Sequence, residues 1–192
     1  MSAVPITKYT ANEYLAMEDK SPEKHEFYQG EIFAMAGASI QHNQIVRNCS
    51  TTIDVYLSKT NGCQIFPSDL KIHIPINSLF TYPDLSIVCG DIETLQGHRD
   101  IVTNPSVLIE VLSASTKDYD RGSKFQLYRD VSALQEYIMI SSLEILVEKF
   151  TRQDDGSWIL HIYKEDDTFT IETIGMQVDV KSFYRNVVLE AN

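Results

Sequence analysis

The sequence predicts a mixed α/β fold: a central mixed sheet flanked by helices, with an antiparallel β extension at its C-terminal end. Three observations predict it. The run PSVLIEVLSAST is apolar on both strand faces apart from one carboxylate, as in a strand covered on both sides. A helical stretch and a second apolar run, EYIMI, follow it, and a strand–helix–strand order implies a right-handed crossover joining parallel strands. Two alternating runs about Asp155-Gly156 then read as an antiparallel hairpin.

Each element has its own signal. In TANEYLAMEDK, Thr10 and Glu13 form a capping-box pair, so a short helix is expected over about 11–17. KHEFYQGEIFAMAG holds two short extended runs about Gln29-Gly30, a hairpin pattern. From Ser39 onward His42, Ile45, Val46, Cys49, Ile53 and Tyr56 share one helical face, and Asn61-Gly62 supplies the stop. PSDLKIHIPI alternates, with Leu70, Ile72 and Ile74 on one face and Asp69, Lys71 and His73 on the other. YPDLSIVCG is a shorter strand that begins beside Asp84, and the polar connection DIETLQGHRDIVTNP leads on to the strand carrying Glu110. The next helix is expected from about 117 or 118 to 131, with Ser115 or Thr116 as its N-cap. In the tail Trp158, Leu160 and Ile162 share a parity, and a third alternating run follows the hairpin. A single domain is expected over 1–192, with its core at about 8–140 and the β extension at about 141–186.

Composition narrows the classes. At 43% hydrophobic and 22% charged, the 192 residues suit a soluble globular chain with a sizeable core. No apolar run approaches the ~20 residues of a membrane span, and MSAVPITKYT lacks the basic-then-apolar pattern of a secretory signal. Cys49, Cys63 and Cys89 have no close pairing or metal-ligand spacing; reduced, mostly buried cysteines of a cytoplasmic protein are expected, without structural zinc. The net charge of -11 restricts any basic nucleic-acid-binding face to a local patch and suits carboxylates gathered about a divalent cation.

Glu110 poses the chemical question, because an unpaired ionised carboxylate inside an apolar strand costs several kcal/mol or stays protonated. Lys124, Leu127, Tyr128 and Val131 share the apolar face of the following helix, so the Lys124 stem can run over the sheet and its ammonium can reach Glu110. Taken alone, that is a structural ion pair. Asp84 adds a second carboxylate: it shares parity with Ser86 and Val88, Glu110 shares parity with Leu108 and Leu112, and pairing of the two strands brings both acids to one end of the sheet. Two carboxylates and a lysine there make a site for Mg²⁺ or Mn²⁺ and for phosphoester hydrolysis.

YPDLSIVCG, PSVLIEVLSASTKDYDRGSKFQLYRD and LQEYIMI closely resemble the Uma-type (Uma2-like) family of restriction endonucleases, within the PD-(D/E)XK nuclease superfamily; KHEFYQGEIFAMAG and QHNQIV extend the resemblance to about 8–186. It implies a restriction-endonuclease-like core with Asp84 and Glu110 as ligands of Mg²⁺ (or Mn²⁺), and DNA as substrate. The superfamily places its lysine two residues after the acid, where this chain has Leu112; Lys124 then stands as a migrated lysine. Glu26 matches a glutamate common in the family and is either a third carboxylate at the metal or a hairpin-surface residue. His42 reads as a core histidine or as a phosphate-binding or proton-transfer group, and Asp69 as a site residue or a turn residue. His25, His73, His98 and His161 follow no ligand spacing and are expected at the surface.

The leading expectation is a metal-dependent DNA endonuclease in which Asp84 and Glu110 hold Mg²⁺ and Lys124 assists the attacking water. The alternatives are a non-catalytic nuclease-fold module that binds nucleic acid or protein, and a hydrolase of small phosphoesters. A homodimer joined through the C-terminal hairpin is a further expectation; a membrane partner is not.

Overall fold

The computed structural model of the chain describes residues 8–35, 37–60, 62–114 and 117–189. Asn61 of the expected helix stop and the expected N-cap at Ser115 or Thr116 lie outside them. Helix α1 (Ala11–Glu18) carries its capping box in full: Thr10 Oγ1 accepts from the Glu13 N–H at 3.2 Å, and the Glu13 carboxylate accepts from the Thr10 N–H at 2.8 Å. Strands β1 (His25–Tyr28) and β2 (Glu31–Ala34) pair antiparallel across Gln29 and Gly30, whose φ values of 48° and 89° suit a two-residue hairpin turn. Helix α2 (Ile40–Leu57) is capped by Ser39 and buries Ile45, Asn48, Cys49, Ile53 and Leu57; of the predicted stripe, His42, Val46 and Tyr56 are only half-buried.

Six strands follow: β3 (Cys63–Pro67), β4 (Lys71–Ile74), β5 (Leu79–Thr81), β6 (Leu85–Cys89), β7 (Ile101–Val102) and β8 (Val107–Leu112). The expected helix forms as three pieces, α3 (Lys117–Tyr119), a π-helical turn over Asp120–Lys124, and α4 (Phe125–Tyr128). Then come β9 (Glu136–Ser141), β10 (Leu146–Arg152), β11 (Trp158–Lys164), β12 (Thr168–Ile171), a 3₁₀ turn over Glu172–Ile174, β13 (Met176–Asp179) and α5 (Val180–Phe183).

These strands make two principal sheets where the sequence predicts one. The six-stranded sheet runs β11-β10-β9-β8-β6-β3, with β8 and β9 parallel as the crossover requires and its other pairs antiparallel. The five-stranded sheet runs β2-β1-β5-β4-β7. Hairpin β10–β11 extends the larger sheet as expected, but the third alternating run pairs with β13 in a ribbon of its own.

Strand β8 explains why it reads apolar on both faces. Val107, Ile109 and Val111 pack with α2, α5 and the β12–β13 ribbon, whereas Leu108 and Leu112 pack with Ile72, Ile74 and Leu79 of the second sheet and with α4. The second sheet is itself covered on its far side, where α1 supplies Tyr14 and Leu15 against Phe27 and Phe80. That cover corrects the reading of β4. His73 is buried, not exposed, and stacks on Phe80 with ring centroids 3.9 Å apart; Lys71 is buried with its ammonium over the rings of Tyr14 and Tyr82. His25 is half-buried and pairs with Glu18 at 3.0 Å.

The expectation of three reduced cysteines is also corrected. Cys63 and Cys89 stand opposite each other in the β3–β6 ladder, with a Cα–Cα distance of 4.0 Å, and form a disulfide, while Cys49 is free and buried. Strand register makes neighbours of cysteines 26 positions apart, which spacing alone does not reveal.

Candidate active site

Register builds the centre. Leu85 pairs with Ile109 in the antiparallel β6–β8 ladder, and the next step along it sets Asp84 opposite Glu110. The Asp84 N–H donates to Glu110 Oε2 at 3.3 Å, and Asp84 Oδ2 accepts from the Val111 N–H at 2.8 Å. Both acids belong to the face that carries Val88, Leu108 and Leu112, the face turned toward the second sheet.

Lys124 joins the two sheets. Its Nζ lies 2.8 Å from Glu110 Oε1, 3.2 Å from Glu26 Oε1 on β1, and 3.7 Å from Asp120 Oδ1 one helical turn back. Tyr128 donates its O–H to Glu110 Oε1 at 2.8 Å, and the Thr81 hydroxyl donates to Glu26 Oε1. At the N-terminal turn of α2, His42 Nε2 lies 3.1 Å from Asp84 Oδ2; its Nδ1 is buried with no hydrogen-bond partner. The structure thus gathers Asp84, Glu110, Lys124, Glu26 and His42. It leaves Asp69 apart, in the turn after β3, where its exposed carboxylate pairs with Lys24 at 2.5 Å.

Burial and crowded charge set the protonation of this cluster. Burial pushes Glu110 above the ordinary carboxylate range; Lys124 pulls it back, and the neighbouring charges of Asp120 and Asp84 push it further up. Burial works against the Lys124 ammonium, but Glu110, Glu26 and Asp120 outweigh it and hold Lys124 well above its usual value. Burial likewise opposes a charged His42, yet its hydrogen bond to Asp84 and the surrounding carboxylates leave it raised.

A cleft of about 1320 Å³ opens over these groups, bounded by the β1–β2 hairpin, the start of α2, the end of β8 and the π-helical turn. Among the described residues no three His, Cys, Asp or Glu side chains converge as a metal cluster. The acids that open together onto the cleft from paired strands are Asp84 and Glu110. The sequence prediction missed Asp120, Thr81 and Tyr128 as members of the centre. Asp120 and Tyr128 each stand four residues from Lys124, a helical spacing that identifies both in retrospect; Thr81 has no such signal.

Over residues 11–181 the chain matches the family described as Uma2, "Putative restriction endonuclease". The chain belongs to this family. Two similar proteins are from Synechocystis sp. (strain ATCC 27184 / PCC 6803 / Kazusa), both described as uncharacterized. One is 36% identical over 185 residues, covering 96% of each chain; the other is 37% identical over 161 residues, covering 83% of this chain and 90% of its own. A crystal structure from Anabaena variabilis ATCC 29413, described as a "putative nuclease belonging to DUF820", superposes with a TM-score of 0.75 at 18% identity, covering 96% of this chain and 100% of that one. At that identity the likeness concerns the fold, and the mixed α/β architecture expected from the sequence is the one the two share.

Proposed function

We propose that this chain is a metal-dependent nuclease that hydrolyses DNA phosphodiester bonds at the Asp84–Glu110–Lys124 centre. The observation that carries the reading is one buried lysine held among three carboxylates, with a fourth, Asp84, set against Glu110 at the floor of an open cleft. Membership of a family described as restriction endonucleases supports the same reading.

The donor set fits Mg²⁺ or Mn²⁺. Asp84 and Glu110 offer hard oxygen atoms, and the like charges crowding Glu110 are what a divalent cation would relieve. Two carboxylates suffice for an ion that commonly keeps several waters and takes the rest of its ligands from substrate phosphate. When bound, the cation would supply Lewis acidity and a more acidic water.

The protein's own groups do the rest. His42 and the Val111 N–H fix the Asp84 carboxylate, and Tyr128 and Lys124 fix Glu110. Lys124 stays protonated among its acids, so it serves as fixed positive charge for the phosphoryl oxygens and not as a base. In the reaction a water oxygen bonds to phosphorus and gives up a proton to solvent, the P–O bond to one sugar breaks, and the departing oxygen takes a proton from solvent.

The test is cleavage of single-stranded and duplex DNA with Mg²⁺ or Mn²⁺, comparing the parent with Asp84→Asn and Glu110→Gln. Each variant should lose about 10³-fold in rate while keeping its fold by circular dichroism. Variants that cut as fast as the parent would refute the assignment. The second reading, a binding module without turnover, draws on Asp84 and Glu110 oxygens that already have protein partners; it predicts binding that survives chelation and no cleavage with either metal.

A further inference from the structure

The hairpin wall of the cleft carries a feature that the hydrolytic centre does not use. Phe33 on β2 pairs with Glu26 on β1, and cross-strand partners project to the same side of a sheet. Phe33 therefore shares a face with the carboxylate that holds Lys124. It is nevertheless 46% exposed, and Met35, two positions on, is 37% exposed. Tyr119 faces the cleft from the opposite wall, 41% exposed, with its ring centroid 6.0 Å from Lys124 Nζ. Among the described residues the exposed aromatic side chains are Tyr9, Phe33 and Tyr119, and the last two line this cleft.

The charge of the same surface is as informative. Five carboxylates line the cleft against two lysines, Lys24 and Lys124. Lys24 is engaged by Asp69, and Lys124 is buried among its acids. Duplex DNA presents phosphates and groove edges, and its affinity comes largely from phosphate neutralisation, for which this cleft has little to offer. Unpaired bases present π faces as well as phosphates, and stacking on aromatic rings adds an attraction that a closed duplex does not offer.

We infer that the cleft selects nucleic acid with unpaired bases, a single strand or a frayed or looped segment, by stacking bases on Phe33 and Tyr119 beside the hydrolytic centre. The inference rests on the nuclease reading for what happens after binding, but binding alone tests it. The experiment is fluorescence anisotropy of a labelled oligothymidine of about 15 nucleotides and of a duplex of equal length. Ca²⁺ is supplied as the divalent ion, and salt is varied. The single strand should bind at least about tenfold more tightly than the duplex. Its log–log salt slope should be no steeper than about -1.4, the contribution of two lysines. Phe33→Ala and Tyr119→Ala should each weaken binding about tenfold, and so should Phe33→Leu, which keeps apolar area but removes the π face. Both side chains are exposed, so unchanged circular dichroism is expected of the variants.

Equal or tighter duplex binding, unaltered binding by the variants, or full retention by Phe33→Leu would each overturn the inference. Absence of binding to either nucleic acid would overturn it too. Stacking-dependent binding without cleavage under Mg²⁺ or Mn²⁺ would uphold it and refute the nuclease. Cleavage with a duplex preference would do the reverse.

Discussion

Among the described residues two lysines are buried among carboxylates, and the pair is instructive. Lys149 on β10 is 1% exposed and reaches Glu136 at 3.2 Å, Glu172, and the Thr170 carbonyl. The remaining oxygen of Glu136 accepts from the Thr173 N–H at 2.8 Å and from its hydroxyl at 2.6 Å. This cluster ties the 3₁₀ turn before β13 to the sheet, and its residues are not among those that line the cleft. Lys124 is nearly as deeply placed, and it meets three buried acids that line the cleft. Burial and surplus acid are common to both, since Lys149 meets two carboxylates and Lys124 three; what sets Lys124 apart is that its acids are themselves buried and line the cleft beside a fourth, Asp84. Those differences, more than depth, set apart the cluster to which we assign the chemistry.

The comparison can be broken at Lys149. Lys149→Met leaves Glu136 buried and unpaired and should cost about 3–5 kcal/mol in stability by denaturant melts, with cleavage per folded molecule unchanged. Equal damage to both quantities would erase the distinction between the clusters. A smaller effect sharpens the other side of the comparison. Mg²⁺ at about a hundredfold excess over its dissociation constant should stabilise the parent by about 2.7 kcal/mol, read as a rise in Tm. Asp84→Asn should lose that rise while keeping a metal-free Tm at least as high as the parent's, because one of the crowded charges is gone.

The smallest expected effect lies away from both lysines. Burial holds His73 below its ordinary value, against a hydrogen bond to the Leu79 carbonyl. A depressed folded value means that the unfolded chain binds more protons, so this contribution is present above the unfolded value of about 6.5 and fades as pH falls through it. Tm should drop more steeply in the parent than in His73→Phe between about pH 7 and about pH 5. Parallel curves would show that His73 does not contribute.

Much of the centre was legible because periodicity constrains direction. Helical spacing put Lys124 on the sheet-facing side, and strand parity put Asp84 and Glu110 on one face; the observed register then set them opposite each other. What escaped depends on partners that sequence neighbours do not announce. β5 and β7 are too short to establish a period, and β3 follows a helix with mixed exposure along its length. Lys71 and His73 alternate with apolar residues as an exposed face would, but α1 and its aromatic neighbours cover that face. Asp120 stands in the polar run STKDYDRGSK, which carries no signal of burial, yet it is buried at the start of the widened turn.

That widened turn has a consequence for how the family can vary. A π-helical turn holds one more residue than an α-helical turn, the mark of a single-residue insertion. A chain lacking one residue between Asp120 and Lys124 would regain an ordinary helix, and its lysine would turn about 100° around the axis, away from Glu110 and Glu26. The lysine's aim therefore depends on this local irregularity: relatives that keep Lys124 on this helix are expected to keep the extra residue with it.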